Sequence, residues 1–332
     1  MCVAVRPEDK RDAQHVLRTK FIAIIINGQQ RFTLPAAAPA ASNSRAVRVR
    51  GGNDTMRCGV APVSKSIKTI DFRGELVLLG TGTSVGVPAV GCACPVCASD
   101  DWRNRRTRSS IAVGLPEGNL LVDTTPDLRS QLLREGIGVM HAALFTHEHA
   151  DHVMGLDDVR LFPFYLGHAF PIYCEPAVED RIRRSFDYAF DAREVTHAGA
   201  RPDLAIQRIS TEPFDLLGTQ VIPIRLKHGA CDVLGFRFGN LAYCTDASEI
   251  PEESWPLLEG LDVLILNALR RRPHPTHLSL DQAVAITEQL QPKRTLFTHI
   301  SHDLEHQATC SALPNGMDLA YDGQRVTLPI AG

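Results

Sequence analysis

No apolar run in this chain approaches the roughly 18–20 residues that a membrane-spanning helix requires. The one early candidate, FIAIII at 21–26, is too short for a secretory apolar core and lacks a small-residue cleavage site. A cytoplasmic protein is expected. An excess of one charge is also missing: 35 Lys and Arg face 38 Asp and Glu, for a net charge of −3, so no polyanion-binding surface is advertised. A disulfide framework is absent as well. Of nine cysteines, three lie in one CxCxxC, and Cys2, Cys58, Cys174, Cys231, Cys244 and Cys310 are scattered singly. No internal repeat is found. What is present is 332 residues, 44% of them hydrophobic and 22% charged, which is ample for a soluble domain with a core.

Composition changes near residue 74. Before it run Ala/Pro-rich and Arg-dotted stretches such as LPAAAPAASNSRAVRVRGGNDT, with too few large apolar residues to offset ordering entropy. Residues 1–73 are therefore expected to be a disordered extension, or an over-extended start given the internal Met56, with the folded domain at 74–332. From Glu75 onward short β-rich runs alternate with helical patterns, which indicates an α/β fold. Strands are expected at ELVLLG (75–80), NLLVDT (119–124), AALFTH (142–147), TQVIPIRL (219–226), LAYCTD (241–246), DVLILN (262–267) and RTLFTH (294–299). TPDLRSQLLREG (125–136) opens with a helix-start Pro and closes on Gly. SLDQAVAITEQL (279–290) has a Ser N-cap and apolar spacing at i, i+3 and i+4.

Several of those strands end on a polar residue, and FTHEHADHVMGL (145–156) shows why. His147, His149, Asp151 and His152 follow a strand at a spacing that turns two imidazoles toward one point and Asp151 with His152 toward a second. Imidazole nitrogens and carboxylate oxygens are what zinc, manganese and iron accept, and two close metals can share an activated water. A solvated His-rich loop is the bland alternative. HxHxDH alone leaves each metal short of ligands, so the metal reading requires further donors at later strand ends, and His228, Asp246 and His299 stand there. Upstream, GCACPVC (91–97) sets three thiols within six positions. Neighbouring thiols in CxC cannot easily close on each other, whereas three thiolates and one nitrogen make a closed tetrahedral zinc site. A redox CxxC of Cys94 and Cys97 is the alternative, and Cys92 counts against it.

From residue 75 to about 330 the chain resembles the metallo-β-lactamase-fold hydrolases. Within that group GTGTSVGVPAVGCACPVC (80–97) together with THISH (298–302) resembles the phosphoribosyl 1,2-cyclic phosphate phosphodiesterases of the PhnP type. The resemblance implies a four-layer αββα sandwich with a dinuclear site at one edge of two sheets. It implies His147, His149 and His228 on a first divalent ion, Asp151, His152 and His299 on a second, and Asp246 between them. The ions would be zinc or manganese. Cys92, Cys94, Cys97 and His302 would hold a separate structural zinc. Asp151 would serve catalysis as well as ligation, and His277, in RRRPHPTHLSL (270–280), would act as general acid or phosphate orienter; a loop histidine without a role is the alternative. Asn267 stands where relatives tend to carry Asp, so a hydrogen bond could survive there while local charge changes.

These features lead to the expectation of a metal-dependent phosphodiesterase opening a small cyclic phosphate such as 5-phosphoribosyl 1,2-cyclic phosphate. The same ligands serve lactonases, thioester hydrolases and tRNA 3′-processing nucleases, so they specify hydrolysis more firmly than substrate. A non-catalytic metal-binding protein like PQQ-biosynthesis protein B is a further alternative, and the intact HEHADH argues against it. A small-molecule phosphodiester is the expected partner, with no membrane and no nucleic acid; a homodimer is left open. Arg103, Arg105, Arg106 and Arg108 are read as a solvated loop, with Arg103–Arg108 or Arg270–Arg272 as candidates for holding a second substrate phosphate. Cys231 and Cys244 are read as ordinary strand cysteines.

Overall fold

The computed structural model describes residues 67–191, 197 and 199–328, all within the compact unit Ser44–Gly332. Among the described residues fourteen strands form two seven-stranded sheets. The first contains β1 (Glu75–Gly80), β2 (Ser110–Leu115), β3 (Gly118–Val122), β4 (Ala142–Leu144), β5 (Phe170–Cys174) and β6 (Leu204–Arg208) in spatial sequence, and β14 (Arg325–Thr327) flanks β1. The second runs β13 (Met317–Leu319), β12 (Arg294–Thr298), β11 (Val263–Asn267), β10 (Leu241–Cys244), β9 (Cys231–Phe238), β8 (Thr219–His228) and β7 (Phe214–Leu216).

The period-2 alternation of strands decides the layering. In β1, Leu76 and Leu78 pack between the sheets, while Val77 and Leu79 face helices on the outer side. In β11, Ile265 points to the inter-sheet core and Leu264 and Leu266 to the opposite helical layer. Both faces of each sheet are therefore buried, which explains strands that read as continuous apolar runs. Helices Leu128–Glu135 and Pro176–Ser185 cover the first sheet, and Leu280–Leu290 and His306–Ala312 the second. The result is the αββα sandwich. Ser279 caps Leu280–Leu290 in a reciprocal capping box with Gln282, and Gly136 ends Leu128–Glu135 in the left-handed region that glycine tolerates. Among the described residues no helix is long and apolar enough to cross a membrane.

The domain boundary expected at residue 74 needs correction. Residues 1–66 lie outside the described residues, but 67–73 belong to the fold. Phe72 is buried in the core beneath the first sheet, and Ile70 N–H donates to the Gly136 carbonyl at 3.1 Å. A Cβ at Gly114 would lie 2.1 Å from the Phe72 carbonyl oxygen, so β2 carries glycine where this segment crosses it. One anchoring side chain on an extended segment leaves no periodicity to detect. Phe72→Ala should cost about 3–5 kcal/mol, the usual range for a buried phenyl, and a thermal melt showing an unchanged midpoint would contradict that packing.

Candidate metal centre

The site lies where the topology must put it. Strands β3, β4 and β5 run parallel, as do β10, β11 and β12, so their C-terminal ends gather at one edge of each sheet. A backbone bond from Leu234 N–H to the Thr146 carbonyl, 3.0 Å, joins the two edges. His147, His149, Asp151 and His152 follow β4, the last two on the turn Ala150–Val153; His228 ends β8, Asp246 follows β10 and His299 follows β12. Asp123, Asp246 and His299 all have left-handed backbones, at φ 64°, 56° and 54°. Such non-glycine residues cost free energy and concentrate where side chains must be aimed.

Every residue expected at the dinuclear site is brought together. Potential ligand atoms of His147, His149 and His228 lie within 4.8 Å of one another, as do those of Asp151, His152 and His299, while Asp246 groups with His147 and His152 and again with His228 and His277. Asp246 Oδ2 is 3.2 Å from His152 Nε2, and its Oδ1 is 3.1 Å from His299 Nε2 and 3.0 Å from His277 Nε2. His277 stacks on His299 with ring centroids 4.7 Å apart. These groups open onto a cleft of about 280 Å3 that Ser84 and Thr276 also line.

The electrostatics suit cations. His147 Nε2 and His149 Nδ1 face each other at 3.0 Å, with the His228 ring 5.0 Å from that of His149. A proton can bridge two nitrogens, whereas a metal ion satisfies three. His152 Nε2 and His299 Nε2 are buried without a hydrogen bond, although Asp246 oxygens stand 3.2 and 3.1 Å away, and ligation at these nitrogens removes that cost. Burial holds His147, His228 and His299 below the usual histidine range, His299 at about 4, which keeps them as neutral imidazoles with a free lone pair. Burial alone would raise the Asp246 pKa, but His299 and His152 draw it well down. Burial likewise opposes charge on His152, yet Asp246 and Asp123 drive its pKa well up. A divalent ion at Nε2 would supply the positive charge that these carboxylates demand.

Asp123 was not foreseen as a site residue. Fully buried at the end of β3, it accepts from Thr146 N–H and Thr146 Oγ1, both at 2.8 Å, and faces His152 Nδ1 at 2.7 Å. It thereby turns Nε2 of His152 toward the site. The signal was an aspartate ending an apolar strand. Ser84 was also missed, because only the fold shows that the turn after β1 borders the cleft. Asn267 is explained by its contacts: Oδ1 accepts from Ala247 N–H at 2.7 Å and Nδ2 donates to the Ala247 carbonyl at 2.9 Å. An aspartate could make only the first bond, so the amide is the group that pins the residue after Asp246.

The cysteine loop forms a second cluster. Cys92, Cys94 and Cys97 place their sulfurs 3.2, 3.6 and 3.3 Å from His302 Nδ1. Bonds of about 2.3 Å to sulfur and about 2.0 Å to nitrogen around a tetrahedral zinc would separate these atoms by roughly 3.5 Å. Cys97 N–H donates to Cys94 Sγ and lowers that thiol to about 7, whereas burial pushes Cys97 up to about 11. Three of the four arginines nearby are occupied, and Arg105 is exposed. Arg103 pairs with Asp101 and Arg108 with Asp127. Arg106, read as part of a solvated loop, is instead buried, because its guanidinium donates to the Ser301 and Leu304 carbonyls at 3.0 and 2.9 Å.

Two back-to-back sheets with His and Asp donors converging at their shared edge define a class, the αββα proteins with a metal-binding edge. A family model described as a beta-lactamase superfamily domain matches residues 118–300. A crystal structure described as a new diphosphatase from the PhnP family superposes with a TM-score of 0.71 at 45% identity, covering 76% of this chain and 96% of that one. The chain belongs to the metallo-β-lactamase superfamily and, within it, to the PhnP family. It is also 38% identical over 251 residues to an octanoyltransferase of Porphyromonas gingivalis (strain ATCC BAA-308 / W83), covering 74% of this chain and 50% of that protein, so the chain spans half the length of that relative. Coenzyme PQQ synthesis protein B of Methylobacterium sp. (strain 4-46) is 26% identical over 308 residues, covering 76% of this chain and 100% of that protein. The protein thus has the metallo-β-lactamase fold, which implies divalent metal binding.

Proposed function

We propose that the protein is a phosphodiesterase that opens a small cyclic phosphate, 5-phosphoribosyl 1,2-cyclic phosphate being the reference substrate. The observation that carries this reading is His277, whose Nε2 lies 3.0 Å from Asp246 Oδ1 at the wall of a cleft of about 280 Å3. That volume is at the small end of ligand pockets. It fits a sugar phosphate better than a polymer, and with Arg103 and Arg108 paired to carboxylates and Arg106 buried, Arg105 is left as the exposed arginine of 103–108, too little for a basic track along RNA.

In this reading His147, His149 and His228 hold one divalent ion, Asp151, His152 and His299 another, and Asp246 serves both. When bound, the pair supplies Lewis acidity, neutralising phosphoryl charge and lowering the pKa of a water from about 16 toward about 7. The chain's own residues do the rest. Asp123 and the Thr276 carbonyl aim the rings of His152 and His228. His277, protonated on both ring nitrogens, gives its Nε2 proton to the sugar oxygen as the P–O bond breaks and is left as the neutral imidazole, while water oxygen is added at phosphorus and its proton leaves to solvent. The cyclic ester keeps the leaving oxygen tethered, so a compact site suffices.

A linear diphosphate, cleaved at its phosphoanhydride bond, is the second reading, favoured by the PhnP-family diphosphatase that is 45% identical. Comparison of kcat/KM on the ribosyl cyclic phosphate, a 2′,3′-cyclic nucleotide, a dinucleoside diphosphate, an octanoyl thioester and a β-lactam tests both. The cyclic phosphate should lead. A win for the diphosphate would replace the substrate, and a win for the thioester or lactam would end the phosphodiesterase reading.

A further inference from the structure

The stretch GTGTSVGVP (80–88) is built around a close approach by residues 106–108. A Cβ at Gly80 would lie 2.0 Å from the Arg108 carbonyl oxygen, and one at Gly82 would lie 2.7 Å from that of Arg106, so glycine is required at both. The two segments pair through Gly82 N–H to the Thr107 carbonyl at 2.7 Å, and reciprocally between Val87 and Arg106 at 2.8 and 2.7 Å. Between these anchors residues 83–86 form a tight turn. It is closed by Gly86 N–H donating to the Thr83 carbonyl at 2.8 Å.

Ser84 stands at the exposed corner of that turn, and two further contacts fix it. Arg108 Nε donates to the Ser84 carbonyl at 2.9 Å, while the same guanidinium is held by Asp127 at 3.0 and 3.1 Å. Thr83 N–H donates to the carbonyl of Ile300, the residue after His299, which sets the turn against the donor edge. Ser84 borders the cleft. Among the described residues nothing pairs with its hydroxyl. The other hydroxyl of the lining, that of Thr276, is engaged by His277 and His274 at 2.9 and 3.2 Å. The rest of the lining is His and Asp side chains. Ser84 is therefore the lining hydroxyl left to donate to a substrate.

We propose that Ser84 is a substrate-binding residue whose hydroxyl donates to a non-bridging oxygen of the phosphoryl group, with Arg108 and the 83–86 turn holding it in place. This rests on the phosphodiesterase reading of the cleft. A phosphodiester anion spreads its charge over its two non-bridging oxygens, and hydrogen bonds to charged acceptors are the strong ones. A serine on a loose loop would lose part of that gain in being ordered, whereas this turn is ordered before substrate arrives. The oxygens are charged in the ground state and the transition state alike, so the contact should show in binding more than in turnover.

The test uses the full-length, metal-loaded protein, with inorganic phosphate and methyl p-nitrophenyl phosphate as probes. Ser84→Ala removes the hydroxyl and Ser84→Thr keeps one. Ser84 is exposed and its contact with Arg108 is made by its carbonyl, so alanine should leave metal content and melting temperature at their wild-type values. In titration calorimetry alanine should weaken phosphate binding roughly tenfold, the scale of one lost bond to a charged group. KM for the diester should rise by a similar factor, with kcat within about threefold of wild type. Threonine should bring both binding measures back to within about threefold. An alanine variant with unchanged phosphate affinity and unchanged KM, or one whose metal content falls, would overturn the inference. The reading beneath it fails separately. A wild-type protein that neither binds phosphate nor cleaves the diester ends the phosphodiesterase assignment, whereas a wild type that does both, with the alanine variant indistinguishable from it, refutes Ser84 alone.

Discussion

Asp246→Asn is expected to lower kcat/KM by at least about 10³-fold and to reduce the metal content of the catalytic edge from two ions toward one, because two-ion charge stabilisation is worth several kcal/mol. Asp246 is the carboxylate on which both halves of the site converge, with Oδ2 3.2 Å from His152 Nε2 and Oδ1 3.1 Å from His299 Nε2. It is buried, and its pKa is held well down by those histidines, so the native site contains a full negative charge. Asparagine preserves the shape and tolerates the left-handed backbone at φ 56°. The loss then reports the charge and not strain. Metal analysis by mass spectrometry after desalting, alongside turnover, checks it. A variant retaining both ions and turning over within tenfold of wild type would show that Asp246 does not join the two donor groups.

The donors were legible because ligands of this kind come in short-range patterns at strand ends. HEHADH declares itself, and the polar residues closing LAYCTD and RTLFTH stand out against their apolar strands. The layers were legible too, since strands buried on both faces must be covered twice. Other features depend on contacts that no local pattern encodes. Strand β9, CDVLGFRF, escaped because Gly235 interrupts its apolar run; the structure shows that glycine there sits 2.9 Å, by its Cβ position, from the Tyr243 carbonyl of β10. Strand β5 hides behind Pro171. Asp123 reads as the tail of a strand until His152 folds against it. Arg106 looks like one more loop cation, and only the tertiary fold shows it donating to carbonyls on both sides of His302. Aiming and clamping residues act across the fold, so their roles follow from topology.

Cys94→Ser is expected to cost one zinc per chain, to lower the melting temperature and to loosen the catalytic edge without emptying it. The connection 81–109 between β1 and β2 contains only the short turn Trp102–Asn104 as regular structure, and is far longer than the roughly 12–15 residues beyond which unstructured loops become uncommon in compact domains. It buries few apolar side chains, Val87 and Val96 among them. Its order must come from elsewhere: Thr81 and Thr107 at its ends bond to Asp322 and Asn104 to Glu305, and for the stretch around 91–97 the four donors of Cys92, Cys94, Cys97 and His302 are the cross-link. Zinc sites in small peptides contribute about 10–16 kcal/mol of apparent binding free energy; in a loop also held by Arg106 the stability change will be a fraction of that. The disturbance has a path to the catalytic edge. Thr83 N–H donates to the Ile300 carbonyl at 3.3 Å and Ile300 N–H to the Thr81 carbonyl at 2.8 Å, so the cysteine loop and the residue after His299 share hydrogen bonds. The variant should therefore keep its pair of catalytic ions but yield them faster to a chelator, with turnover down by roughly tenfold, the lower range for losing a support behind metal ligands. Unchanged total zinc and an unchanged melting point in Cys94→Ser would remove the structural zinc from this account and return the three thiols to redox chemistry.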